Sequence, residues 1–433
     1  MVLITMDTTR ADALTSYGGP ANSSASVDAL AAAGVRFDMA LSHVPTTLSA
    51  HSSLFTGLDP HGHGVPRNGF PLSGEPSSLP ERFQTLGYDT IGIIAATALE
   101  SKMGLTRGFR VYDEGLSNNI KVKRRFEDRA DRVTARALAA VDERDATKPL
   151  FLWVHYYDAH SPYTPPEDWK HRFVERGYEP EFTLGGGISE AHIRGDLKDS
   201  DRQHLRNLYQ AEVAFQDEQI GALLSGLESR RLMGDALVVV TADHGEMFFE
   251  NKKRPVGHGT DVDLAVTRIP LIIHGRGAQA LEARVVSEPV ALSELGATVL
   301  AMFGDEAGLG EGRDLRPLLT GGSVEPRAIF LEATKPKNGR STDGWNNIRN
   351  ERGVAWKEHV LYKAPVYGTP ARLFELTPAQ RRLKVPPASG RSALLEELTM
   401  LLGAWDAAAP PYRDEEMDDE TIEGLKALGY IDE

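Results

Sequence analysis

The chain has 433 residues and no cysteine, which excludes thiolate nucleophiles, cysteine metal ligands and disulfides. Its formal net charge of −14 argues against nucleic acid as a partner, because phosphate backbones are bound by basic patches. No apolar stretch approaches the ~20 residues that span a bilayer, so we expect no membrane span.

Short β-branched runs alternate with longer helical patterns, which predicts an α/β fold with a mostly parallel sheet covered on both faces. The predicted core strands are Val2–Met6, Thr90–Ala95, Leu150–His155, Leu237–Thr241, Ile269–His274 and Ala328–Glu332. The predicted helices are Ser26–Ala33, Arg125–Arg144 and Asp199–Arg230. The Gly- and Pro-rich stretch Gly304–Arg316 is predicted to be a loop.

The pattern changes near Val324, after which the strand signals become shorter. The predicted elements of this part are strands Val354–Trp356 and His359–Lys363, a helix at Ala393–Leu402 and an acidic tail helix at Asp414–Leu428. We therefore divide the chain into an α/β catalytic domain, residues 1–323, and a small antiparallel α+β subdomain, residues 324–433.

Two distant strands end in acidic residues. The first strand ends in Asp7, and the apolar run from Leu237 is followed by adjacent Asp243 and His244. An acid after a strand is by itself usually a helix cap or a turn residue. Because open α/β sheets bind ligands at the carboxyl ends of their strands, the pair of signals predicts one metal centre at that edge. Carboxylate with imidazole favours Zn²⁺ or Mn²⁺, with Ca²⁺ as an alternative.

Further histidines are expected at the same edge. The strand from Leu150 runs into His155, Asp158 and His160, and the loop before Ile269 carries His258 between two glycines. The glycines allow a bound group to approach closely. The plainer alternatives are that His155 is an ordinary core histidine and that His160 is held by turn chemistry.

The segment from His43 to Gly57 is dense in hydroxyls and contains helix-like sequence. A hydroxyl at a helix N-terminus would hold an attacking oxygen near the positive end of the dipole, where an anionic ester also binds. Residue chemistry leaves Thr46, Thr47 and Ser49 open as the nucleophile. It also leaves open that these residues only cap the helix.

The order of these motifs resembles the sulfatases of the alkaline phosphatase superfamily. The matching segments are ITMDTTRADAL (4–14), YG (17–18), SLFTGLDPHGHGV (53–65), VTADHGE (240–246), RIPLII (268–273), LFELTP (373–378) and LKALGYI (425–431). This resemblance covers nearly the whole chain. It implies a mostly parallel central sheet flanked by helices, with a small C-terminal antiparallel subdomain.

The chain departs from the sulfatase pattern at the predicted nucleophile. Sulfatases carry a C/S-x-P-x-R signature whose Cys or Ser is oxidised to formylglycine, and the matching positions here hold Thr47, Ser49 and His51. Threonine cannot give formylglycine. Thr8 replaces the second acid of the family's Asp-Asp pair. Members of the wider superfamily with a plain Thr or Ser nucleophile are phosphodiesterases, phosphomutases and phosphoglycerol or phosphoethanolamine transferases.

The resemblance to these relatives implies one or two divalent metal ions. The first would be bound by Asp7, Thr47, Asp243 and His244. A second would be bound by Asp158, His160 and His258, although the Asp-x-His spacing differs from the Asp-x-x-x-His of dinuclear phosphodiesterases.

Other residues are predicted to contact the substrate. Without a second metal, His160 and His258 would bind ester oxygens or protonate the leaving group. Asn68 is predicted to donate a hydrogen bond to a substrate oxygen, and Arg10 and His51 are further candidate substrate-binding residues.

Together these features predict a metal-dependent hydrolase that cleaves phosphate mono- or diesters through a covalent Thr47 intermediate. Threonine fits phosphate esters better than sulfate esters, because formylglycine releases sulfate by elimination from a hemiacetal and threonine has no such route. The alternatives are a sulfatase working without formylglycine, a phosphotransferase and a non-catalytic relative. The expected partner is a small anionic ester substrate. The sequence leaves open whether the protein forms a homo-oligomer.

The segment after Met1 has no charged region or cleavage-type site, so a cytoplasmic location is the default expectation. An export signal removed from the precursor is the alternative. Substrate selectivity is expected to reside in the polar loops Gly108–Lys123 and Glu167–Asp199.

Overall fold

The computed structural model describes residues 1–115, 128–184, 186–252, 255–334, 345, 351–356, 360–364, 370–382 and 391–410. The predicted tail helix Asp414–Leu428 and part of the loop Gly108–Lys123 lie outside these residues. Within the described ranges, no helix has both the length and the apolar composition needed to cross a membrane.

The elements are numbered in chain order. The strands are β1 (Val2–Met6), β2 (Val35–Leu41), β3 (Asp89–Ile93), β4 (Val111–Asp113), β5 (Leu150–Tyr156), β6 (Leu237–Ala242), β7 (Met247–Phe248), β8 (Val256–Gly257), β9 (Arg268–Gly275), β10 (Arg284–Val286), β11 (Val290–Ala291), β12 (Ile329–Ala333), β13 (Glu351–Trp356), β14 (Val360–Lys363) and β15 (Arg372–Glu375). The α-helices are α1 (Ala25–Ala33), α2 (Thr47–Thr56), α3 (Pro60–His63), α4 (Leu79–Thr85), α5 (Ala130–Asp142), α6 (Glu167–Phe173), α7 (Ile188–Arg194), α8 (Asp199–Ser229), α9 (Leu264–Thr267), α10 (Glu294–Met302), α11 (Arg316–Leu319) and α12 (Arg391–Ala407).

A nine-stranded sheet forms the centre of the described structure, in the order β10-β2-β9-β6-β1-β5-β3-β4, with β11 also paired to β2. Its strands run parallel except β9, which is antiparallel to both β6 and β2. Strands buried on both faces need continuous apolar sequence, and Leu237–Ala242 is buried throughout. The predicted mostly parallel α/β sheet is confirmed.

The central strand β1 lies between β5 and β6, and the three strands end at the same position along the edge of the sheet. Met6 is in register with both Tyr156 and Ala242. The residues that follow these strands therefore leave the sheet side by side, and the backbone N–H of Asp7 donates to the carbonyl of Tyr156 at 2.8 Å. This register places Asp7 and Asp243 next to each other.

The antiparallel strand β9 explains how the loop containing His258 reaches the same edge. Because β9 runs against its neighbours, its beginning at Arg268 lies where the parallel strands end. Strand β2 was not predicted, and it ends at this edge too, with Leu41 opposite Arg268. The chain from β2 then leads directly into α2, which begins at Thr47.

Helices cover the sheet, and the longest of them, α8, packs against α1, α5 and α6. The predicted helix Asp199–Arg230 differs from α8 by one residue at its C-terminal end. Helix α5 begins at Ala130, within the predicted Arg125–Arg144, whose first three residues are not described.

The C-terminal part contains a four-stranded antiparallel sheet in the order β12-β13-β14-β15. Helix α12 packs on it and buries Leu398, Leu402 and Trp405 together with Val354 and Tyr362. This confirms the small antiparallel unit. The division at residue 323 stays a prediction.

Candidate active site

Asp7 and Asp243 form a buried pair of carboxylates at the carboxyl edge of the sheet. The Oδ1 atom of Asp243 accepts from the backbone N–H groups of Thr8 at 3.1 Å and His244 at 2.7 Å. Thr8 has a φ of 47°, a left-handed conformation that is costly for a β-branched residue. This local strain accompanies the contact that orients Asp243.

Three atoms with no hydrogen-bond partner among the described residues converge beside this pair. They are Oδ1 of Asp7, Oδ2 of Asp243 and Nε2 of His244. The His244 nitrogen lies 3.5 Å from the Asp243 oxygen and 4.0 Å from the Asp7 oxygen. Buried polar atoms are normally hydrogen-bonded, so their shared lack of partners fits a divalent cation. Two oxygens and one imidazole nitrogen suit Zn²⁺ or Mn²⁺. We call Asp7, Asp243 and His244 the outer cation set.

The charges of this set also favour a cation. Burial, and then the nearby carboxylates of Asp243 and Glu246, raise the pKa of Asp7 well above its usual range. Burial opposes the charge of Asp243, but His244 and the neighbouring histidines hold its pKa below the ordinary value. Two buried carboxylates are costly to keep ionised unless positive charge balances them. A divalent cation would supply that charge.

Thr47 is the first residue of α2, and its Oγ1 lies 3.4 Å from Oδ2 of Asp7. The other two candidate hydroxyls are placed differently. Ser49 donates to the carbonyl of Val65 at 2.5 Å, and the buried hydroxyl of Thr46 has no partner in the described part of the chain. The fold therefore brings Thr47 to the carboxylate pair.

Asn68 is tied to the same helix end. Its Oδ1 accepts from the backbone N–H of Leu48 at 2.8 Å, in the first turn of α2. Its amide nitrogen is buried and has no hydrogen-bond partner within the described ranges. The side chain thus satisfies a helix N–H and keeps two donor hydrogens available near Thr47.

His51 and His155 lie buried beside the carboxylate pair, with ring centroids 5.1 Å apart. His51 Nδ1 is 2.8 Å from the carbonyl of Thr47, and Nε2 is 3.1 Å from the hydroxyl of Thr5. The contact of His51 with the Thr47 carbonyl supports the beginning of α2, and its predicted role in substrate binding stays a prediction. His155 Nε2 lies 3.3 Å from Oδ2 of Asp7.

A second histidine group includes His160 and His258, whose ring centroids are 5.0 Å apart. The ring of His258 is also 4.5 Å from that of His244, so this group adjoins the outer cation set. Glu246 holds His258, with Oε1 3.3 Å from Nδ1. Tyr163 donates to the other Glu246 oxygen at 3.0 Å. The arrangement orients one imidazole beside the candidate metal centre.

Two predicted site residues are engaged elsewhere. Oδ1 of Asp158 accepts from the backbone N–H of Ala130 at 3.0 Å, at the beginning of α5, so the described geometry gives it a helix-capping contact. Arg10 binds both oxygens of Asp12 at 2.7 Å and also an oxygen of Glu250 at 2.8 Å. These partners hold the guanidinium in place, and its predicted role in substrate binding stays a prediction.

Glu246 had no predicted role, and one of the two interpretations of His155 was an ordinary core histidine. Glu246 could have been found because it follows Asp243 by three residues in the segment that leaves the sheet. His155 precedes the last residue of β5, so its position near the carboxyl edge could also be predicted from the sequence. Its contact with Asp7 could not, because strand order is needed to place β5 beside β1.

Comparisons with known proteins identify a consistent set of relatives. A family model described as Sulfatase matches residues 1–305. An uncharacterized sulfatase, YidJ, of Escherichia coli (strain K12) is 25% identical over 376 residues, covering 76% of this chain and 72% of that protein. An ulvan-active sulfatase of Formosa agariphila is 25% identical over 341 residues, covering 74% and 64%.

Solved structures share the fold at lower identity. A phosphonate monoester hydrolase from Silicibacter pomeroyi has a TM-score of 0.72 and 20% identity, covering 94% of this chain and 95% of its own. The phosphonate monoester hydrolase of Agrobacterium radiobacter gives 0.72 and 20%, covering 97% and 98%. At these TM-scores and coverages, the similarity shows that the fold is shared over nearly the whole length of the chain.

Proposed function

Because the chain belongs to the sulfatase family, we propose that it is a metal-dependent hydrolase that cleaves phosphate mono- or diesters through a covalent Thr47 intermediate. Family membership supports the hydrolase class. The nucleophile, the ester type and the roles of individual residues are our proposal, and they derive from the geometry of the site.

One observation carries the proposal. Thr47 Oγ1 lies 3.4 Å from Asp7, at the N-terminus of α2 and beside three converging ligand atoms. Helix N-termini bind anions through their free N–H groups and dipole. A phosphoryl group placed there would meet the hydroxyl and the cation set together.

A bound divalent cation would lower the pKa of the Thr47 hydroxyl and stabilise negative charge on the phosphoryl oxygens. Thr47 Oγ1 then forms a bond to phosphorus while the ester P–O bond breaks, and its proton passes to Oδ2 of Asp7. Asn68 donates a hydrogen bond to a phosphoryl oxygen, which stabilises the charge that builds up in the transition state.

His258, held by Glu246, gives a proton to the oxygen of the departing alcohol. In the second half of the reaction, water transfers a proton to His258 and attacks phosphorus. The bond from phosphorus to Thr47 breaks, and Asp7 returns the proton to Oγ1. The two half-reactions therefore use the same two proton carriers in opposite directions.

The ester class follows from the nucleophile. A phospho-threonine is hydrolysed by attack of water at phosphorus, whereas the sulfatase route through formylglycine needs a carbonyl that threonine lacks. The curated relatives are sulfatases, which favours sulfate esters as the second candidate. The fold is shared with phosphonate monoester hydrolases, so phosphonate monoesters belong in the same substrate panel.

The experiment measures turnover of four p-nitrophenyl esters by metal-loaded protein: the phosphate, the bis-phosphate, the phenylphosphonate and the sulfate. Cleavage of phosphorus esters with labelled phospho-threonine trapped at Thr47 supports the proposal. Preferred sulfate turnover would select the sulfatase alternative. Transfer of phosphate to added glycerol in place of water identifies a phosphotransferase. No turnover and no bound metal indicate a non-catalytic relative.

A further inference from the structure

His51 and His155 are buried histidines next to the outer cation set that the proposed reaction does not use. Ligand atoms of His51, His155 and Asp243 lie within 4.8 Å of one another. All three side chains are almost completely shielded from solvent. Asp243 belongs to this trio and to the outer cation set alike. We call His51, His155 and Asp243 the inner cation set.

His155 differs from the satisfied core histidines of this chain. Both its ring nitrogens are buried and make no hydrogen bond among the residues that the structure describes; Nε2 lies 3.3 Å from Oδ2 of Asp7, and no contact is found there for Nδ1. His63, which is also buried, is fully paired, since Nε2 contacts Ser53 Oγ at 3.0 Å and Nδ1 accepts from Val65 at 3.1 Å. An unpaired buried imidazole costs free energy unless another group satisfies it. A cation would do so.

His51 can present a lone pair to the same position. The hydroxyl of Thr5 accepts from Trp153 at 3.0 Å and lies 3.1 Å from His51 Nε2. When Nε2 carries the proton and donates it to Thr5, Nδ1 has a lone pair. That nitrogen is 4.0 Å from Oδ2 of Asp243, which has no hydrogen-bond partner of its own in the described structure.

The alternative tautomer satisfies both ring nitrogens of His51 when no cation is bound. With the proton on Nδ1, His51 donates to the carbonyl of Thr47 at 2.8 Å, and Nε2 accepts from Thr5. A cation at Nδ1 would replace the proton that Nδ1 donates to the Thr47 carbonyl, so binding requires the ring to turn away from that carbonyl. The hydrogen bond of His51 to Thr47 links this position to the nucleophile.

Charge balance favours a second cation. Asp7 and Asp243 are both buried, and within the described ranges their ion-pair partners are histidines, with no Lys or Arg. One divalent ion in the outer cation set would balance these two carboxylates, but Glu246 adds a third buried acid nearby. The three carboxylates together carry one negative charge more than a single divalent ion supplies, and a second ion would leave one positive charge for an anionic substrate.

We propose that His51, His155 and Asp243 hold a second divalent cation, which shares Asp243 with the cation of the outer set. Two imidazoles and one carboxylate suit Zn²⁺ or Mn²⁺. The position is distinct from the site predicted from Asp158, His160 and His258, which stays a prediction. This proposal rests on the proposed function only through the shared carboxylate, since the inner position can be occupied whatever ester the protein cleaves.

Metal stoichiometry by mass spectrometry, after equilibration with Zn²⁺ and gel filtration, tests the proposal. We expect two ions per chain in the parent protein and one in His155→Leu and in His51→Leu. The matched control His63→Leu also replaces a buried histidine and should keep two. Melting curves show whether each variant is folded.

A second measurement uses the parent protein loaded with Mn²⁺, and two further variants show which residues hold each ion. Two Mn²⁺ ions that share a carboxylate give a spin-coupled electron paramagnetic resonance spectrum, and a single ion does not. One ion in the parent protein, lost in His244→Ala, would overturn the inner position and leave the proposed function standing. Two ions with the second lost only in His160→Ala would also overturn it. No ion at all would contradict both proposals.

Discussion

The hydroxyl of Thr47 and the carboxylate of Asp7 lie 3.4 Å apart, although they are 40 residues apart in the chain. Strand β1 delivers Asp7, and strand β2 with the segment after it delivers Thr47 to the same edge. The contact joins a candidate nucleophile to a candidate metal ligand. It is the relationship on which the proposed reaction depends most directly.

Replacing Thr47 by alanine should remove turnover of phosphorus esters and leave the fold intact. Loss of a nucleophile lowers kcat by about 10³-fold or more, whereas one hydroxyl contributes little to stability. The control is Thr46→Ala, which removes the neighbouring buried hydroxyl and should keep most of the activity. Steady-state kinetics and melting curves give both readouts. Full activity in Thr47→Ala would make Thr46 or Ser49 the nucleophile.

Asn68→Asp should separate two functions of one side chain. The carboxylate keeps an oxygen that can accept from Leu48 N–H, so we expect α2 and the melting temperature to be preserved. It loses the amide donor and adds a negative charge beside an anionic ester. We expect kcat/KM to fall by about 10²- to 10³-fold, the scale of removing one donor to the transition state. Unchanged kcat/KM would remove Asn68 from the reaction.

Removing His258 should affect esters in proportion to how poorly their alcohol leaves. A general acid matters little for p-nitrophenolate, which departs without a proton, and more for an alkoxide. We therefore expect His258→Ala to reduce kcat/KM for alkyl esters by about 10²- to 10⁴-fold, with a much smaller effect on kcat/KM for p-nitrophenyl esters. The measure is kcat/KM because it reports the steps up to departure of the alcohol and not the later attack of water. The comparison uses one enzyme preparation with both substrates. Equal losses in kcat/KM for both would assign His258 to binding.

The sheet was predictable because its strands are buried on both faces and read as continuous apolar runs. The predicted Val2–Met6 coincides with β1, and Leu237–Thr241 differs from β6 by one residue. Strand β2 was missed although Val35, Phe37 and Met39 alternate with polar residues, because that alternation is short and lies directly after a helix. The reversed direction of β9 could not be deduced from its composition.

The candidate site was predictable where chemistry follows a strand, as at Asp7, Asp243 and His244. It was not predictable where a side chain has a choice of partners across the fold. Asp158 is a predicted ligand, and the contact of its Oδ1 with a backbone N–H at the beginning of α5 could not be deduced from its place in the chain. The same limit applies to His155, whose neighbour Asp7 lies on another strand.

Asp243→Asn should lower metal content and turnover together, because it removes the carboxylate that both cation sets contain. The matched control is Asp217→Asn. Asp217 is also buried, and it accepts from the backbone of Ser26 and Val27 at 2.9 and 2.8 Å. We expect the control to lose stability and keep its metal. Metal analysis at equal protein concentration decides, and full occupancy in Asp243→Asn would exclude it as a ligand.

The pH dependence of stability should contain a contribution from His63. Burial lowers the pKa of this imidazole to about 3, against an ordinary value of 6.5. Between these values the unfolded chain binds a proton that the folded chain does not, so stability falls as the pH drops below about 6.5. One such group contributes up to about 1.4 kcal/mol per pH unit.

His63→Gln removes the titrating group and keeps hydrogen-bonding atoms for Ser53 and Val65. We therefore expect its unfolding free energy, measured with urea and a chelator at several pH values from about 7 to 4, to fall less steeply than that of the parent protein. The control His171→Gln makes the same substitution at an exposed histidine of α6. If the parent and His63→Gln share one slope, the buried imidazole does not govern the acid sensitivity of the fold.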